Sequence, residues 1–267
     1  MRVKGSVVVV TGGGAGIGAA LCRAFAGAGA EKVVAADLDE AAAASVAAEI
    51  GGVGRRCDVS SEEQIAALVE EVESQYGPIA IFCSNAGIAA GFDQQAENVA
   101  AQSNDVWQRS WAVNVMSHVY AARHLVPRMR ERGAGHFLIT ASAAGLLSQV
   151  GSAAYSTTKH AAVGFAESLA IAHRAHGIGV SLLCPQGVDT PLLRSIPKGP
   201  ESGDGVMSAD EVAGAALLGI EEGRFLILPH GQVADYMRRK VENYDRWVGG
   251  MAKLQEKVRA SVPPAWR

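Results

Sequence analysis

Two side chains in the second half of the chain have the types and spacing that acid–base chemistry needs. Tyr155 and Lys159 are four residues apart in a segment, 152–176, that predicts a helix ended by Gly177, so both fall on one helix face. A free phenol has a pKa of about 10, too high for a good base at neutral pH. A neighbouring ammonium favours the phenolate and lowers that pKa, and lysine keeps spare N–H donors for a ribose hydroxyl. The pair predicts a general acid and base.

Two more polar residues are able to complete this site. Ser142 follows a predicted strand, 13 residues before Tyr155, and its hydroxyl is able to donate to the same substrate oxygen. Asn114 lies in a long predicted helix over 105–130, where a buried amide needs a partner such as a water linked to Lys159. Each residue alone has an ordinary alternative: a solvated helix face, a loop serine or a satisfied core amide. Their joint occurrence favours catalysis.

A glycine-rich segment separates the first predicted strand, Val7–Thr11, from the first predicted helix, Gly16–Gly27. Glycines let a backbone approach a pyrophosphate closely, and a helix N-terminus offers free N–H groups to an anion. Glycine also serves tight turns, but the order strand, glycines, helix is typical of dinucleotide binding. The residues expected to contact a cofactor here are Gly12, Gly14, Gly16, Ile17 and Gly18.

Asp37 ends the second predicted strand, 19 residues after Gly18. A carboxylate at that place accepts hydrogen bonds from the adenosine ribose diol and repels a 2′-phosphate. Ala15 and Leu38 provide no cation for such a phosphate, so NAD is favoured over NADP. The alternative is that Asp37 only caps the following helix.

Strand and helix signals alternate along the whole chain, and the strands are nearly continuous apolar runs. This pattern predicts a doubly wound Rossmann-type α/β fold, with a parallel sheet of about seven strands and helices on both faces. Residues 1–267 are interpreted as a single domain. The predicted strands are Val7–Thr11, Lys32–Asp37, 53–57, Ile79–Ser84, 136–140, 178–184 and 224–228. Capping boxes at Ser60 with Glu63 and at Ser208 with Glu211 predict two helix starts.

Further candidates lie where predicted strands end, at the edge of the sheet where such folds bind ligands. Asp58 and Val59 follow the third strand, and Asn85, Ala86 and Gly87 follow the fourth. Both groups are expected to contact the cofactor. By themselves they are ordinary turn signals.

The bulk composition excludes several classes of function. Hydrophobic residues make up 49% of the chain and the net charge is −3, which argues against disorder and against nucleic-acid binding. No apolar run is long enough for a signal peptide or a membrane span, so a cytoplasmic protein is expected. The four cysteines form no CxxC pair and no metal pattern, and they are predicted to be buried thiols.

Together these residues resemble the short-chain dehydrogenase/reductase family, in its compact single-domain branch, over roughly residues 5–228. The glycine loop resembles the family's cofactor loop, and the segment from Asn85 resembles its turn after the fourth strand. Asn114, Ser142, Tyr155 and Lys159 match the family's catalytic tetrad in type, order and spacing. The resemblance implies that Ser142 and Tyr155 hold the substrate oxygen. It further implies that Lys159 binds the nicotinamide ribose and Asn114 a proton-relay water.

Two segments depart from that family's pattern. After the sixth strand the family has Pro-Gly, whereas this chain has Pro185-Gln186-Gly187, although Thr190 keeps its expected place. The resemblance implies that Pro185, Val188 and Thr190 contact the nicotinamide, and that about 188–207 form a mobile substrate lid. The C-terminal extension, about 230–262, is predicted to pack on the core or a subunit interface, with a cover over the substrate pocket as the alternative.

The sequence therefore predicts hydride transfer between NAD and a secondary alcohol or ketone. A small, hydrophobic substrate is expected, because six apolar residues are predicted to form a pocket wall: Leu146, Leu147, Val150, Leu192, Leu193 and Ile196. A homodimer or homotetramer is expected from the family resemblance. The alternatives are an NADP-dependent carbonyl or ketoacyl reductase and a non-catalytic NAD-binding regulatory protein. Epimerase and enoyl-reductase activities are disfavoured by chain length and by the Tyr–Lys spacing.

Overall fold

The computed structural model describes residues 1–92, 98–196 and 204–261. Strands and helices alternate from Val7 onward, as the sequence predicts. The strands are β1 Val7–Thr11, β2 Lys32–Asp37, β3 Val53–Arg56, β4 Ile79–Ser84, β5 Gly135–Thr140, β6 Ile178–Leu183, β7 Val188–Asp189, β8 Met207–Ser208 and β9 Leu226–Ile227. The helices are α1 Gly16–Gly27, α2 Glu40–Ile50, α3 Glu62–Tyr76, α4 Asn104–Trp111, α5 Ser117–Arg132, α6 Ala144–Leu147, α7 Ala153–His173, α8 Pro191–Arg194, α9 Ala209–Glu221, α10 Gln232–Glu242 and α11 Tyr244–Ser261.

Seven of the strands in the described residues form one parallel sheet in the order β3-β2-β1-β4-β5-β6-β9. The chain moves outward from β1 to β3 and then restarts at β4 on the other side of β1. This reversal makes the carboxyl ends of β1 and β4 the place where such folds bind ligands. The predicted doubly wound fold is confirmed.

Both faces of the sheet are covered by helices, because successive side chains of each buried strand point to opposite faces. Val9 packs with residues of α3, α5 and α7 on one face, whereas Val8 and Val10 pack with α1, α2 and α9 on the other. The four cysteines are free and buried, as predicted. None of the described helices is long and apolar enough to cross a membrane, and the described residues contain no cluster of metal ligands.

One of the two predicted capping boxes needs correction. The start of α3 is capped by Ser61, whose hydroxyl accepts from the backbone of Gln64, and not by Ser60. The Ser60 hydroxyl and N–H bind the Asp58 carboxylate instead. The box formed by Ser208 and Glu211 at α9 is confirmed.

The long helix predicted over 105–130 is interrupted by a π-helical turn, Ala112–Met116, between α4 and α5. The C-terminal extension forms two helices, α10 and α11, which meet at an extended residue, Asn243. A π-turn holds one more residue than an α-turn and is frequent at functional sites. The turn contains Asn114, the first residue of the predicted catalytic set.

Candidate active site

The predicted site residues converge on one cavity of about 440 Å³ at the carboxyl ends of the strands. The lining includes catalytic candidates Ser142, Tyr155 and Lys159. It also includes the cofactor candidates Gly12, Gly16, Ile17, Gly18, Asp37, Asp58, Val59, Asn85, Ala86, Gly87, Pro185, Val188 and Thr190. Gly14 and Asn114 are not among the lining residues, but each forms a hydrogen bond to a residue that lines the cavity.

Lys159 is buried in α7, with 3% of its surface exposed. Its Nζ donates to the carbonyl oxygen of Thr140, at the end of β5, over 3.0 Å. Burial lowers the pKa of Lys159 from 10.5 to about 8, since an ammonium loses its hydration inside the protein. The lysine therefore still carries a proton at neutral pH, and its hydrogen bond fixes that charge at the cavity wall.

Tyr155 lies one helical turn before Lys159, as the spacing predicts. The Lys159 Nζ is 5.8 Å from the centroid of the Tyr155 ring. The ring of Phe92 also lies near, 5.9 Å from the Tyr155 ring, centroid to centroid. Tyr155 thus has a buried cation and an aromatic ring as neighbours, both of which line the cavity.

Ser142 follows β5 on the same wall of the cavity. Its hydroxyl oxygen accepts from the backbone N–H of Ala144 over 3.1 Å, which orients the side chain at the start of α6. A hydroxyl that already accepts from the backbone keeps its proton available for another oxygen. The arrangement is suited to donation toward an atom in the cavity.

Asn114 is fully buried in the π-turn. Its Oδ1 accepts from the Ile88 backbone N–H, and its Nδ2 donates to the Ile88 carbonyl oxygen, each over 2.9 Å. Nδ2 also donates to the Thr158 hydroxyl over 3.1 Å. The partners of Asn114 are therefore the turn after β4 and α7, so the residue joins the two segments that carry Gly87 and Lys159.

The glycine loop has no room for larger side chains. A Cβ on Gly18 would lie 1.9 Å from the Gly12 carbonyl oxygen, and one on Gly12 would lie 2.9 Å from the Ala86 Cα. Gly16 adopts a φ of +52° against the Thr190 side chain. At the N-cap of α1, Ala15 offers no side-chain acceptor, so the first N–H groups of the helix remain for an anion. These features fit the diphosphate of a dinucleotide.

Asp37 is not the N-cap of α2, since that role belongs to Asp39, whose carboxylate accepts from Ala42. The Asp37 carboxylate accepts from the backbone N–H of Gly14 over 2.9 Å and from that of Asp39 over 3.0 Å. It lines the cavity beside the glycine loop. The capping alternative for Asp37 is thereby wrong, and its carboxylate lies against the glycine loop.

The turn after β4 is bound to the end of β1 by the Thr11 side chain. Its hydroxyl accepts from the backbone N–H groups of Asn85 and Ala86 and donates to the Cys83 carbonyl oxygen. The Asn85 amide donates in turn to the Thr11 carbonyl oxygen over 3.0 Å. Asn85 and Ala86 therefore fix the shape of the cavity floor as well as lining it.

Asp58 follows β3 and lines the cavity. Its carboxylate accepts from the hydroxyl and the backbone N–H of Ser60, and these bonds lower the pKa of Asp58 below its usual range. The carboxylate stays ionised at neutral pH. It is available to a cofactor beside Val59, which also lines the cavity.

Thr190 forms the N-cap of α8, with its hydroxyl accepting from Leu193. The unusual Gln186 before it donates through Nε2 to the Asp204 carboxylate over 2.8 Å. His230 holds the same segment, because it accepts from the Gln186 N–H and bonds to the Gly187 carbonyl oxygen. Lid residues 197–203 lie outside the described residues.

The predicted apolar pocket wall is half correct. Leu192, Leu193 and Ile196 line the cavity. Leu146, Leu147 and Val150 are not among its lining residues, because α10 and α11 cover that side of α6 and bury Leu147 against Val233. The C-terminal extension packs on the core here, because its side chains Tyr236, Met237 and Trp247 contact this cluster.

Sequence reasoning missed four residues of the site. Phe92, Thr158 and His230 lack a recognisable motif, since each acts through a contact distant in sequence. Their only local signal is position: Thr158 directly precedes Lys159. His118 is buried behind the site, with Nδ1 2.6 Å from the Ser84 hydroxyl, and burial lowers its pKa to about 3.

A glycine turn at the switch point of a doubly wound parallel sheet, with an acidic residue at the end of β2, defines a Rossmann-type dinucleotide-binding protein. The family model for short chain dehydrogenases matches residues 6–201. The chain belongs to the short-chain dehydrogenase/reductase family, and it is an oxidoreductase of the kind that uses a nicotinamide cofactor.

Three similar proteins illustrate the family. The 1-deoxy-11-beta-hydroxypentalenate dehydrogenase of Streptomyces exfoliatus is 35% identical over 256 residues, covering 93% of this chain and 91% of that one. The 3beta-hydroxysteroid dehydrogenase 2 of Eggerthella lenta is 34% identical over 196 residues, covering 71% and 74%. A short-chain dehydrogenase/reductase from Burkholderia phymatum, solved in complex with NAD, superposes with a TM-score of 0.81 at 30% identity, covering 92% and 96%.

Proposed function

We propose that this protein transfers a hydride between NAD and a secondary alcohol or ketone, with Tyr155 as the general acid and base. The observation that carries the proposal is the buried Lys159, fixed to the Thr140 carbonyl oxygen beside the Tyr155 ring. A fixed ammonium favours the phenolate of a neighbouring tyrosine. A phenol with a lower pKa is present as phenolate in a larger fraction near neutral pH, so more of it is available as a base.

Each catalytic candidate has a role that its contacts support. In oxidation, the Tyr155 phenolate takes the hydroxyl proton of the alcohol, and Ser142 donates a hydrogen bond to the same oxygen. Bound NAD supplies the acceptor for the hydride that leaves the carbinol carbon. Lys159 stabilises the phenolate and offers its remaining N–H donors to a ribose hydroxyl. Asn114 keeps the turn after β4 and α7 together, which holds Lys159 in place.

Asp37 supports NAD over NADP. Its carboxylate borders the glycine loop, where it would accept from a ribose diol and repel a 2′-phosphate. The following residue, Leu38, is exposed and uncharged. The NAD complex of the Burkholderia phymatum relative is consistent with this preference.

An apolar secondary alcohol is the proposed substrate class. The cavity is lined by Phe92, Ile88, Val113, Leu192 and Ile196, and the Phe92 ring lies 5.9 Å from the Tyr155 ring, centroid to centroid. Such a lining favours a hydrocarbon body with one polar group directed to the reacting atoms. Two relatives act, by their names, on a hydroxypentalenate and on a 3beta-hydroxysteroid, which supports a cyclic alcohol for this chain.

The test is a panel of cyclic and acyclic secondary alcohols with NAD, followed by the absorbance of the reduced nicotinamide. On the best substrate, Tyr155→Phe should lower kcat by about 100-fold or more and leave the Kd for NAD unchanged, while Tyr120→Phe retains wild-type kinetics. A Tyr155→Phe enzyme with wild-type rates would disprove the catalytic role. A wild-type protein that binds NAD but oxidises no alcohol and reduces no ketone would favour the non-catalytic regulatory alternative.

A further inference from the structure

Helix α10 touches both segments that border the substrate side of the cavity. The first segment, here called the serine loop, is 144–151 after Ser142. The second, here called the lid base, comprises Gln186, before the predicted lid segment, and Asp204, near the end of that segment. Both segments follow strands β5 and β6, whereas the glycine loop follows β1.

At the lid base, Asp204 is a junction of three side chains. The Tyr236 hydroxyl donates to Asp204 Oδ1 over 2.9 Å, and Gln186 Nε2 donates to Oδ2 over 2.8 Å. Gln232 Nε2 donates to the Asp204 backbone carbonyl oxygen over 3.0 Å. Two of these donors belong to α10, so the helix fixes the point where the chain returns from the lid.

At the serine loop, Lys240 reaches across to a backbone atom. Its side chain is buried, and Nζ donates to the Leu146 carbonyl oxygen over 2.6 Å. Lys240 is one helical turn after Tyr236, so both side chains leave the same face of α10. Between them and the core, Val233 is fully buried against Ala143, the residue next to Ser142.

The serine loop is strained and needs external support. Ser148 has a φ of 74° and a ψ of 159°, a region that L-residues with a side chain rarely occupy. Such a conformation persists only when surrounding contacts impose it. Lys240 holds the chain two residues before Ser148, and Gln255 of α11 accepts from the Gly151 N–H three residues after it.

We propose that α10 positions the two substrate-binding walls relative to each other, with Tyr236 and Lys240 as its positioning residues. This inference rests on the proposed function for its meaning, since the walls matter only if a substrate binds between them. The two bonds connect the lid base and the serine loop to one rigid helix. Gln186, where the family has glycine, supplies the side chain that extends this junction to the lid's first residues.

The first test needs no substrate. Tyr236→Phe and Lys240→Met each remove one of the two bonds. In the NAD complex of each variant, hydrogen–deuterium exchange of peptides 144–151 and 186–196 should become about tenfold faster, as expected for loss of one local hydrogen bond. Exchange in peptide 11–18 should not change. Tyr120→Phe and Lys253→Met, the latter at an exposed lysine of α11, serve as matched controls.

The second test uses the alcohol with the highest turnover in the panel. Each α10 variant should raise KM for the alcohol about tenfold, the loss expected for one charge-assisted hydrogen bond, with kcat changed less and the Kd for NAD unchanged. Lys240→Arg, which retains a donor, should recover part of the KM effect. The inference would be overturned if the Kd for NAD rose as much as the KM for the alcohol, or if exchange in both segments stayed unchanged. Absence of any turnover by the wild-type protein would refute the proposed function instead, while the exchange result still decides whether α10 positions the walls.

Discussion

Replacing Lys159 with methionine should abolish turnover without lowering the free energy of unfolding. The lysine is 3% exposed, and burial lowers its pKa from 10.5 to about 8. That fall corresponds to about 3 kcal/mol of unfavourable free energy for the charged form in the fold. Methionine retains the apolar stem but leaves the Thr140 carbonyl oxygen without this donor, which costs about 1–3 kcal/mol. At pH 7 the variant should therefore equal the wild type in stability or exceed it by up to about 2 kcal/mol, while turnover is lost.

The pH dependence isolates the contribution of the charge. Below a pH of about 8, Lys159 is protonated in the folded and the unfolded chain, so the folded state carries the full free-energy cost of the buried ammonium. Between about 8 and 10.5 the folded lysine is neutral while the unfolded one is still protonated, so unfolding takes up a proton and wild-type stability rises with pH. The advantage of the Lys159→Met variant in unfolding free energy should thus shrink by about 2–3 kcal/mol between pH 7 and pH 10.

Urea denaturation of both proteins without cofactor, followed by circular dichroism, measures this difference. Titrating groups that do not interact with Lys159 are common to both proteins and cancel in the comparison. Tyr155 and Cys184, which do interact with it, are replaced by phenylalanine and alanine in both proteins. Lys253→Met, at an exposed lysine, should show the same offset from wild type at every pH. If the offset of Lys159→Met is also independent of pH, the buried ammonium carries no cost and the electrostatic argument for Tyr155 fails with it.

Two further predictions concern the cofactor. Asp37→Ala should reduce the preference for NAD over NADP by about tenfold or more, measured as the ratio of kcat/KM values, because the acceptor for the ribose diol and the repulsion of a phosphate are both removed; an unchanged ratio would contradict the placement of the adenosine. Gly18→Ala should abolish NAD binding in calorimetry, since the added Cβ would lie 1.9 Å from the Gly12 carbonyl oxygen. Gly27→Ala, where nothing lies within 4 Å, is the matched control and should bind NAD normally, so equal effects of the two substitutions would refute the steric reasoning.

Much of the fold follows from local patterns. The first three elements, β1, α1 and β2, have the predicted bounds, because apolar runs, glycine breaks and periodicity all act within a few residues. The Ser60 error shows the limit of that approach. Two adjacent serines offer the same capping signal, and the Asp58 carboxylate, by binding Ser60, leaves Ser61 to cap the helix.

The π-turn around Asn114 shows a second limit. A continuous helical pattern cannot reveal one extra residue in a turn, since the gain comes from hydrogen bonds to Ile88 and Thr158, which are far away in the chain. The amide was predicted to find a partner, and the partner's identity depends on tertiary packing. The same holds for Phe92, which meets Tyr155 across the cavity.

The sequence by itself determined the order of strands and helices, the glycine turn, and the residue types at the carboxyl ends of the strands, because each of these depends on neighbours within about one or two turns. Only the tertiary structure decided which apolar residues face the cavity and which lie beneath α10. Lys240 and Leu146 are 94 residues apart, and Tyr236 and Asp204 are 32 apart. No local periodicity encodes such pairs, since they form only when the packed sheet brings distant segments together.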